Sequence, residues 1–505
     1  MAWLKETLRQ GRPANVAGAR SRVIVDEAPW IAAGERLAAG EGSLLSLWGD
    51  TDTVNLAALE DESVGVLTLA CPTGRFPSIG RLHAPAIRLE RTIRDLCGLE
   101  PFPATDTRGW LDHGRWGVRQ PLGRRDPATA TGDAYAFRLA EGPPMHQIPV
   151  GPVHAGIIEP GHFRFTANGE TVVRLEERLG YVHKGVDRLM AGASIDEAAK
   201  LAGRLSGDST VAYAIAFAQA VEAALGLAPP PRAVWLRALM AELERIANHM
   251  GDIGAICNDA SFSLMHAHCG ILREEVLRAS QVCFGHRLMM DCVVPGGVAV
   301  DLAKRGRTAL RRLTTTIKRR FPELVELYDS TASLQNRTVT TGRLSAELAQ
   351  QYGAGGFVGR ASGRAFDARK LPGYPPYREL RFDMAVRDEG DVDARVWVRI
   401  AEVYQSVGLI EQILEGLHGG GLSASLSRQS AAADGREGLA LVEGFRGDVL
   451  AWVRVAPDGT VARCHLRDPS WFQWPLLEAA IEGNIVADFP LCNKSFNCSY
   501  SGHDL

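Results

Sequence analysis

Residues 150–225 constrain the fold most, because they join a β-hairpin signal to a long apolar helix. Apolar and polar residues alternate on both sides of the dipeptide Asn168-Gly169, which supplies the positive φ angles of a tight turn. From Ser209 to Leu225 the chain is rich in alanine and contains no glycine or proline, which predicts a buried helix. We therefore expect two rigid elements close together in the chain.

A polar loop enters this hairpin and carries His154, Glu159 and His162. Polar loops held by rigid elements are a common way to build a binding or catalytic site. The loop is therefore the first candidate functional region. Each of the three side chains also has a structural explanation, as a buried, hydrogen-bonded histidine or as a carboxylate that caps the hairpin.

The composition is that of a globular protein with several domains. The chain has 505 residues, of which 46% are hydrophobic and 23% charged, and its formal net charge is −3. That balance does not favour nucleic acid or an anionic membrane surface as a partner. The apolar runs are short, so we expect no transmembrane segment, and the N-terminus does not resemble a signal peptide. Nine cysteines without a C-x-x-C pair indicate reduced thiols in a cytoplasmic protein.

The first part of the chain, residues 1–115, predicts an α+β domain. Residues 43–49 and 63–69 have the patterns of strands, and residues 87–99 place apolar side chains at helical spacing. The polar segment 116–144 is then the natural linker to the second domain.

The rest of the chain, residues 145–505, predicts a mainly α-helical domain with small β-hairpins. The clearest amphipathic helix begins after the prolines at 229–231. Residues 440–465 alternate around Asp458-Gly459 and predict another hairpin. Further helices are expected at residues 263–284, 303–328 and 394–418.

Several motifs, taken in order, resemble one known family. The chain is similar to the large subunit of energy-converting (group 4, formate-hydrogenlyase type) nickel-iron hydrogenases, and to the quinone-site, 49 kDa-type subunit of respiratory complex I. This resemblance implies the hydrogenase large-subunit fold for residues 145–505. The motifs are GPVHAGIIEPGHFRF at 151–165, GYVHKGVDRLM at 180–190, RLSGDS at 204–209, VPGGV at 294–298, GRASGRAFDARKLPGYPPY at 359–377 and RDPSWFQW at 467–474.

The first part of the chain has a family counterpart as well. The run FPSIGRLHAPAIRLERTIRDLCGLEP resembles the 30 kDa-type subunit of complex I. In formate-hydrogenlyase-type hydrogenases that module is fused in front of the large subunit, in the order found here. The resemblance therefore implies a fused two-module chain.

Two pairs of cysteines hold the metal in the resembling hydrogenases, and both pairs are absent here. The equivalent positions are Ser206, Ser209, Ser470 and Gln473. A nickel-iron centre needs soft thiolate ligands, and hydroxyl or amide oxygens are poor replacements. The resemblance therefore implies a hydrogenase-related member without the four metal-site cysteines, which binds no metal of its own and is not an active hydrogenase.

The quinone chemistry of complex I is only partly represented in the sequence. There, a histidine on this loop and a tyrosine at the start of the following helix hydrogen-bond the quinone headgroup. The tyrosine position falls on Gly207, and the histidine position on Ile158 or Glu159. His154 matches an earlier histidine of the motif, whereas Glu159 also matches the acidic residue that energy-converting hydrogenases use for proton transfer.

The candidate site residues are therefore His154, Glu159, His162, Asp208 and Asp259. Asp208 would supply a titratable group at the emptied metal positions. Asp259 matches the residue at the end of a long helix that pairs with a site histidine in complex I. A helix-end cap or a buried ion pair is the structural alternative for Asp259.

The resemblance implies a peripheral subunit of a membrane-associated oxidoreductase complex related to NADH:quinone oxidoreductase. It would lie on the cytoplasmic face of the cell membrane, against a small iron-sulfur subunit and multi-span, antiporter-like membrane subunits. The chain would bind no cofactor itself, and a quinone or another acceptor would react in a cavity at the interface. The alternative is a non-catalytic subunit that links the redox partner to the membrane subunits.

Overall fold

The computed structural model describes residues 2–14, 22–123, 135–138, 140–153, 158–425 and 435–505. His154 lies outside the described residues, so its predicted role stays a prediction. The described part is a mixture of helices and several small sheets, with the helices concentrated after residue 185, as the sequence predicts in outline.

The strands are β1 (Arg12–Pro13), β2 (Arg22–Val25), β3 (Ser43–Asp50), β4 (Thr53–Glu60), β5 (Ser63–Ala70), β6 (Arg75–Pro77), β7 (Glu100–Phe102), β8 (Met145–Val150), β9 (His162–Asn168), β10 (Thr171–Arg178), β11 (Val293–Val294), β12 (Gly297–Val298), β13 (Arg436–Glu443), β14 (Asp448–Val455) and β15 (Val461–Arg467).

The helices are α1 (Trp3–Gln10), α2 (Glu27–Ala38), α3 (Ile87–Cys97), α4 (Val186–Met190), α5 (Ile195–Ala202), α6 (Thr210–Leu225), α7 (Pro231–Asp259), α8 (Ser263–Phe284), α9 (Lys304–Ser330), α10 (Ala332–Thr338), α11 (Ala346–Gln351), α12 (Gly356–Arg360), α13 (Val392–Gly416), α14 (Ser470–Ile481), α15 (Phe489–Phe496) and α16 (Tyr500–Asp504).

The first part of the chain forms a five-stranded mixed sheet with the strand order β1-β2-β5-β4-β3. Strands β2 and β5 are parallel, and the other neighbours are antiparallel. Helix α3 packs on β3 and ends at Gly98, whose φ of +69° is typical of a helix C-terminus. The two predicted strands and the predicted helix of this region are confirmed, whereas β4 was not predicted.

The predicted hairpin at Asn168-Gly169 is confirmed as β9 and β10. Asn168 pairs with Thr171 across the turn, and Gly169 takes a φ of +59°. Strand β8 adds to the other edge of β9 and makes a three-stranded sheet. This sheet presents Phe163 to the interior of the second part of the chain, where it packs on Phe489.

The apolar helix α6 lies on strands β13 and β14, as its uniform burial requires. The approach to β13 is close, because a Cβ atom on Gly438 would collide with the Ala220 carbonyl of α6. Alanine on the helix and glycine on the strand therefore make this contact possible. The amphipathic helix α7 packs between α8 and α13.

The prediction of a single hairpin at residues 440–465 is wrong in one respect. The region forms a three-stranded sheet, β13-β14-β15, with Asp458-Gly459 in the second turn. The first turn, residues 444–447, contains Gly444 and Gly447, and its compact geometry was not recognised in the sequence. This turn carries the arginine on which the candidate site depends.

The first sheet and the last sheet share an apolar interface. The Trp48 ring lies 5.5 Å from the Trp452 ring and stacks on His465. The domain boundaries at residues 115 and 145 stay predictions. Within the described ranges, every helix is too short or too polar to cross a membrane.

Candidate functional site

The four positions that hold metal cysteines in the resembling hydrogenases lie together in the fold. Ser206 and Ser209 precede α6, whereas Ser470 and Gln473 lie in the first turn of α14. Ser499 joins the two pairs, because its hydroxyl lies 2.9 Å from Ser206 Oγ and its backbone N–H donates to Ser470 Oγ at 2.8 Å. All four side chains are buried.

The side chain of Arg446 extends into the same place from the β13–β14 turn. Its guanidinium donates to Asp208 Oδ1 at 2.7 Å and to Ser209 Oγ at 3.1 Å. Its backbone carbonyl accepts a hydrogen bond from Gln473 Nε2 at 2.8 Å. A fixed cation therefore lies among the emptied ligand positions, and Asp208 is its counter-ion.

A nickel-iron centre does not fit this arrangement. The four positions offer hydroxyl and amide groups, which bind such metals poorly, and the guanidinium of Arg446 would repel a metal cation. The nearby Cys498 lies 4.0 Å from Gln473 Oε1, but burial raises the pKa of its thiol, so a thiolate is disfavoured. No group of three or more metal-binding side chains occurs anywhere in the described ranges.

A cavity of about 890 Å³ opens beside these residues. Helices α7, α8 and α15 and the loop between β8 and β9 form its walls. Its lining divides by chemistry into an apolar wall, with Val150, Ile158, Phe163, Phe489 and Tyr500, and a polar wall, with Asp208, Asn248, Asp252, Asp259, Arg273 and Lys494. An elongated molecule with an apolar body and polar oxygens would match both walls.

Asp208 faces this cavity with 38% of its side chain exposed. Burial acts to raise the pKa of its carboxyl, but Arg446 outweighs burial and, with a hydrogen bond from Ser206, holds the pKa at about 2. Asp208 is therefore ionised at neutral pH. This favours an electrostatic role over the proton-donating role that its sequence position suggests.

Glu159 and His162 follow the hairpin loop but face different partners. The Glu159 carboxylate accepts a hydrogen bond from the Ser501 backbone N–H at 3.2 Å, which places it beside Tyr500. His162 Nδ1 donates to the Gly151 carbonyl at 3.1 Å, and burial lowers the pKa of the imidazole. These contacts favour the structural explanation of His162 and keep Glu159 next to the cavity.

Asp259 lines the cavity at the end of α7. Burial raises the pKa of its carboxyl, whereas Asn258, Lys494 and His266 oppose the shift. The ionisable side chains that act on Asp259 are thus Lys494 and His266. His162, the one loop histidine within the described residues, is engaged elsewhere.

Four further residues shape the site and were not predicted from the sequence. Arg446 comes from the unrecognised turn at 444–447, and Lys494 and Tyr500 come from the C-terminal segment. Arg273 comes from α8, and its side chain packs against Gly251 of α7. A Cβ atom added at Gly251 would lie 3.1 Å from Cδ of Arg273. The sequence signal for the turn that carries Arg446 was the pair of glycines, Gly444 and Gly447, on either side of Phe445-Arg446.

Comparison with known proteins identifies the family of the chain. Residues 261–437 match the family described as the 49 Kd subunit of respiratory-chain NADH dehydrogenase. The chain is 30% identical over 439 residues to formate hydrogenlyase subunit 5 of Escherichia coli (strain K12). This alignment covers 85% of this chain and 77% of that protein. It is 32% identical to the carbon monoxide-induced hydrogenase of Rhodospirillum rubrum, over 70% of this chain and 97% of that protein.

A subunit of an NADH-quinone oxidoreductase is also similar to this chain. The chain is 31% identical to an NADH-quinone oxidoreductase subunit of Roseiflexus sp. (strain RS-1), over 68% of this chain and 94% of that protein. The resemblance inferred from the motifs is thereby confirmed. This chain belongs to the family formed by the 49 Kd subunit of respiratory-chain NADH dehydrogenase and the related hydrogenase subunits.

Proposed function

We propose that this chain is a peripheral subunit of a membrane-associated oxidoreductase complex and forms a cavity in which a quinone or another acceptor reacts. It packs on a small iron-sulfur subunit on the cytoplasmic side of the membrane, and multi-span subunits complete the complex. The observation that carries the proposal is the 890 Å³ cavity beside the emptied metal positions. Some relatives are named as hydrogenases, and others are named as NADH-quinone oxidoreductase subunits.

The polar wall of the cavity offers donors that suit a quinone headgroup. Arg273 is half-buried at the cavity, and no carboxylate of the described residues lies within ion-pair distance of its guanidinium. A free guanidinium donates strong, charge-assisted hydrogen bonds to carbonyl oxygens. Arg273 is therefore the candidate anchor for one end of the headgroup.

The apolar wall offers a second, neutral donor. Tyr500 OH accepts a long hydrogen bond from Asn493 Nδ2 at 3.5 Å, which leaves its own proton available. Burial raises the pKa of the phenol, so it stays protonated. Tyr500 would take the place of the tyrosine that the family carries at Gly207.

Reduction of a quinone by two electrons also requires two protons. Asp208 is a poor proton donor, because Arg446 keeps it ionised. Asp259 is the better candidate in the described wall, since burial raises the pKa of its carboxyl and so favours the protonated form. Electrons would come from the iron-sulfur partner.

The substitution Arg273→Met tests this assignment. Loss of a charge-assisted hydrogen bond costs about 1.5–3 kcal/mol, so we expect the rate of quinone reduction at low quinone concentration to fall by about tenfold or more. The measurement is quinone-dependent electron transfer in the detergent-solubilised complex. Assembly of the complex is expected to persist, because Arg273 makes no described ion pair.

Arg278→Met is the matched control, since Arg278 lies on the same helix and pairs at the surface with Glu274. It is expected to leave the rate unchanged. Equal rates for both variants and the unchanged complex would contradict the role of Arg273 in the cavity.

A second function is favoured by the Arg446–Asp208 pair. Because this pair neutralises the former metal position, the chain could serve as a coupling subunit that links redox and membrane subunits without reacting itself. In that case, cavity substitutions such as Arg273→Met and Tyr500→Phe would leave electron transfer intact. Only assembly or ion movement would respond to changes in the chain.

A further inference from the structure

The outer side of α9 carries a regular pattern of cations. Lysine and arginine occur there as three adjacent pairs, and each pair follows the previous one after seven residues. Seven residues make about two helical turns, so the pairs lie on one side of the helix at intervals of about 10 Å. All six residues are exposed. They form the basic face of α9 and are Lys304, Arg305, Arg311, Arg312, Lys318 and Arg319.

The opposite side of α9 is apolar and anchored in the fold. Leu310, Leu313, Ile317 and Phe321 are buried there, and the helix packs on α8 and α13. The burial of this side fixes the rotation of the helix about its axis. The basic face is therefore held toward the outside of the molecule by a rigid element.

Few carboxylates neutralise the basic face. No aspartate or glutamate occurs in residues 304–321. Neighbouring helices supply Glu411, which pairs with Lys318 at 2.6 Å, and Glu275, which pairs with the flanking Arg320 at 3.1 Å. The other five members of the face form no ion pair within the described ranges. A strong local positive charge therefore exists on a chain whose formal net charge is −3.

The order of charges along α9 does not stabilise the helix. Cations fill its first turn, and carboxylates follow only after residue 322. The helix dipole favours the reverse order, with anions near the N-terminus and cations near the C-terminus. Arg307 and Arg311 are also four residues apart, a spacing at which like charges repel each other. Helix formation therefore does not account for the basic face.

The surface between the cations is short and polar. Thr308 and Thr315 lie between the pairs, and their hydroxyls donate to the backbone carbonyls of Lys304 and Arg311 at 3.3 and 2.9 Å. Along α9, which the structure describes throughout, no large apolar side chain is exposed. The basic face is therefore suited to a partner that is bound through charge alone.

An anionic lipid surface fits this description better than a folded protein does. Protein–protein interfaces have an apolar centre as a rule, and α9 exposes no side chains for one. Attraction to anionic lipid headgroups needs no apolar contact and adds up over separate cations. Proteins that bind single-stranded nucleic acid use aromatic rings on which bases stack, and both aromatic rings of α9, Phe321 and Tyr328, are buried.

We propose that the basic face of α9 binds the anionic lipid surface of the membrane. The choice of a membrane over other polyanions rests on the proposed function, which places the chain beside one. The formal net charge alone does not favour such a surface, because it averages over the whole chain and hides this local pattern. The basic face thus sets the side on which the chain approaches the membrane.

Flotation of the purified full chain with lipid vesicles tests the proposal. We expect binding to vesicles made of equal parts of phosphatidylcholine and phosphatidylglycerol, and no binding to vesicles of phosphatidylcholine alone. Added salt should release the chain, because ions screen exposed charges. Failure to bind the anionic vesicles, or equal binding to both kinds of vesicle, would overturn the proposal.

Replacement of Arg305, Arg312 and Arg319 by glutamine removes one cation from each pair of the basic face. This triple variant should bind the anionic vesicles about 100-fold more weakly, given the usual contribution of a cation near such a surface. The three residues are exposed and form no ion pair within the described ranges, so the urea midpoint of the variant is expected to stay unchanged. A weaker fold with unchanged vesicle binding would assign these cations to stability and overturn the proposal.

The matched control replaces Arg36, Arg81 and Arg188 by glutamine, because these arginines are exposed elsewhere in the fold. It changes the net charge by the same amount and should bind the anionic vesicles as the unchanged chain does. An equal loss in both triple variants would show that net charge controls binding, which would contradict a role for the basic face.

Duplex DNA provides a competing ligand for the same face. Tighter binding of the unchanged chain to a DNA fragment than to anionic vesicles would overturn the proposal in favour of a nucleic acid. The flotation test contains only lipid and this chain, so a failure there leaves the proposed cavity and protein partners untouched. Conversely, loss of those partners from the chain purified from membranes would leave the vesicle result standing.

Discussion

Replacement of Arg360 by methionine is expected to lower the free energy of unfolding by about 3–5 kcal/mol, because it removes one side of a buried ion-pair network. Glu402, Glu443 and Asp367 would lose their shared guanidinium in a site that water does not reach. Methionine fills a similar volume, so the loss would come from charge more than from a cavity. Urea unfolding followed by circular dichroism measures the change.

The surface pair of Arg36 and Glu41 provides the control. Both side chains are about half exposed, at 53% and 45%, and ion pairs of this kind contribute little to stability. Arg36→Met is expected to leave the urea midpoint unchanged. If Arg360→Met were as stable as this control, the buried ion pairs of Arg360 with Glu402, Glu443 and Asp367 would not contribute to stability as their geometry indicates.

Arg446→Met is the second change with a large expected effect. It would leave Asp208 without a counter-ion and remove the donor to Ser209 at the former metal position. We expect a loss of about 2–3 kcal/mol in unfolding free energy, which is smaller than for Arg360 because Asp208 is partly exposed and can be hydrated. Thermal and urea unfolding of the purified chain measure this loss.

A double-mutant cycle separates the ion pair from the packing of the arginine stem. The Asp208→Asn variant alone should cost less than Arg446→Met, since it leaves a guanidinium that still donates to Ser209 and to the Asn497 carbonyl. The double variant should recover part of the loss, because no unpaired carboxylate remains. Strict additivity of the two single changes would show that the pair contributes nothing at this position.

Elements with a strong local pattern were predictable from the sequence. Helix α8 is predicted at residues 263–284 and observed as Ser263–Phe284. The Asn168-Gly169 hairpin is equally clear, because its turn chemistry and its alternation agree. In both cases the information lies within about twenty neighbouring residues.

The interior of the site was much less predictable. Its parts come together through contacts between distant segments, as when Arg360 meets Glu443 or when Arg446 meets Asp208. Periodicity gives the face on which a residue lies but not its partner from another element. The motif GRASGRAFDAR was recognised as a family feature, yet its role in a buried ion-pair network required the fold.

The positions of the lost metal ligands show the same limit of prediction from the sequence. The sequence shows that four cysteine positions hold Ser206, Ser209, Ser470 and Gln473, which excludes thiolate ligation there. It does not show that an arginine from another turn fills the space. That substitution of a fixed cation for a metal is visible only in three dimensions.

Purification of the tagged chain from detergent-solubilised membranes, with identification of its partners and analysis of iron and nickel, tests the proposed function most directly. The account predicts iron without nickel, together with a small iron-sulfur subunit and large multi-span membrane subunits. Recovery of a lone, metal-free chain, or of a complex with one nickel per chain, would contradict it.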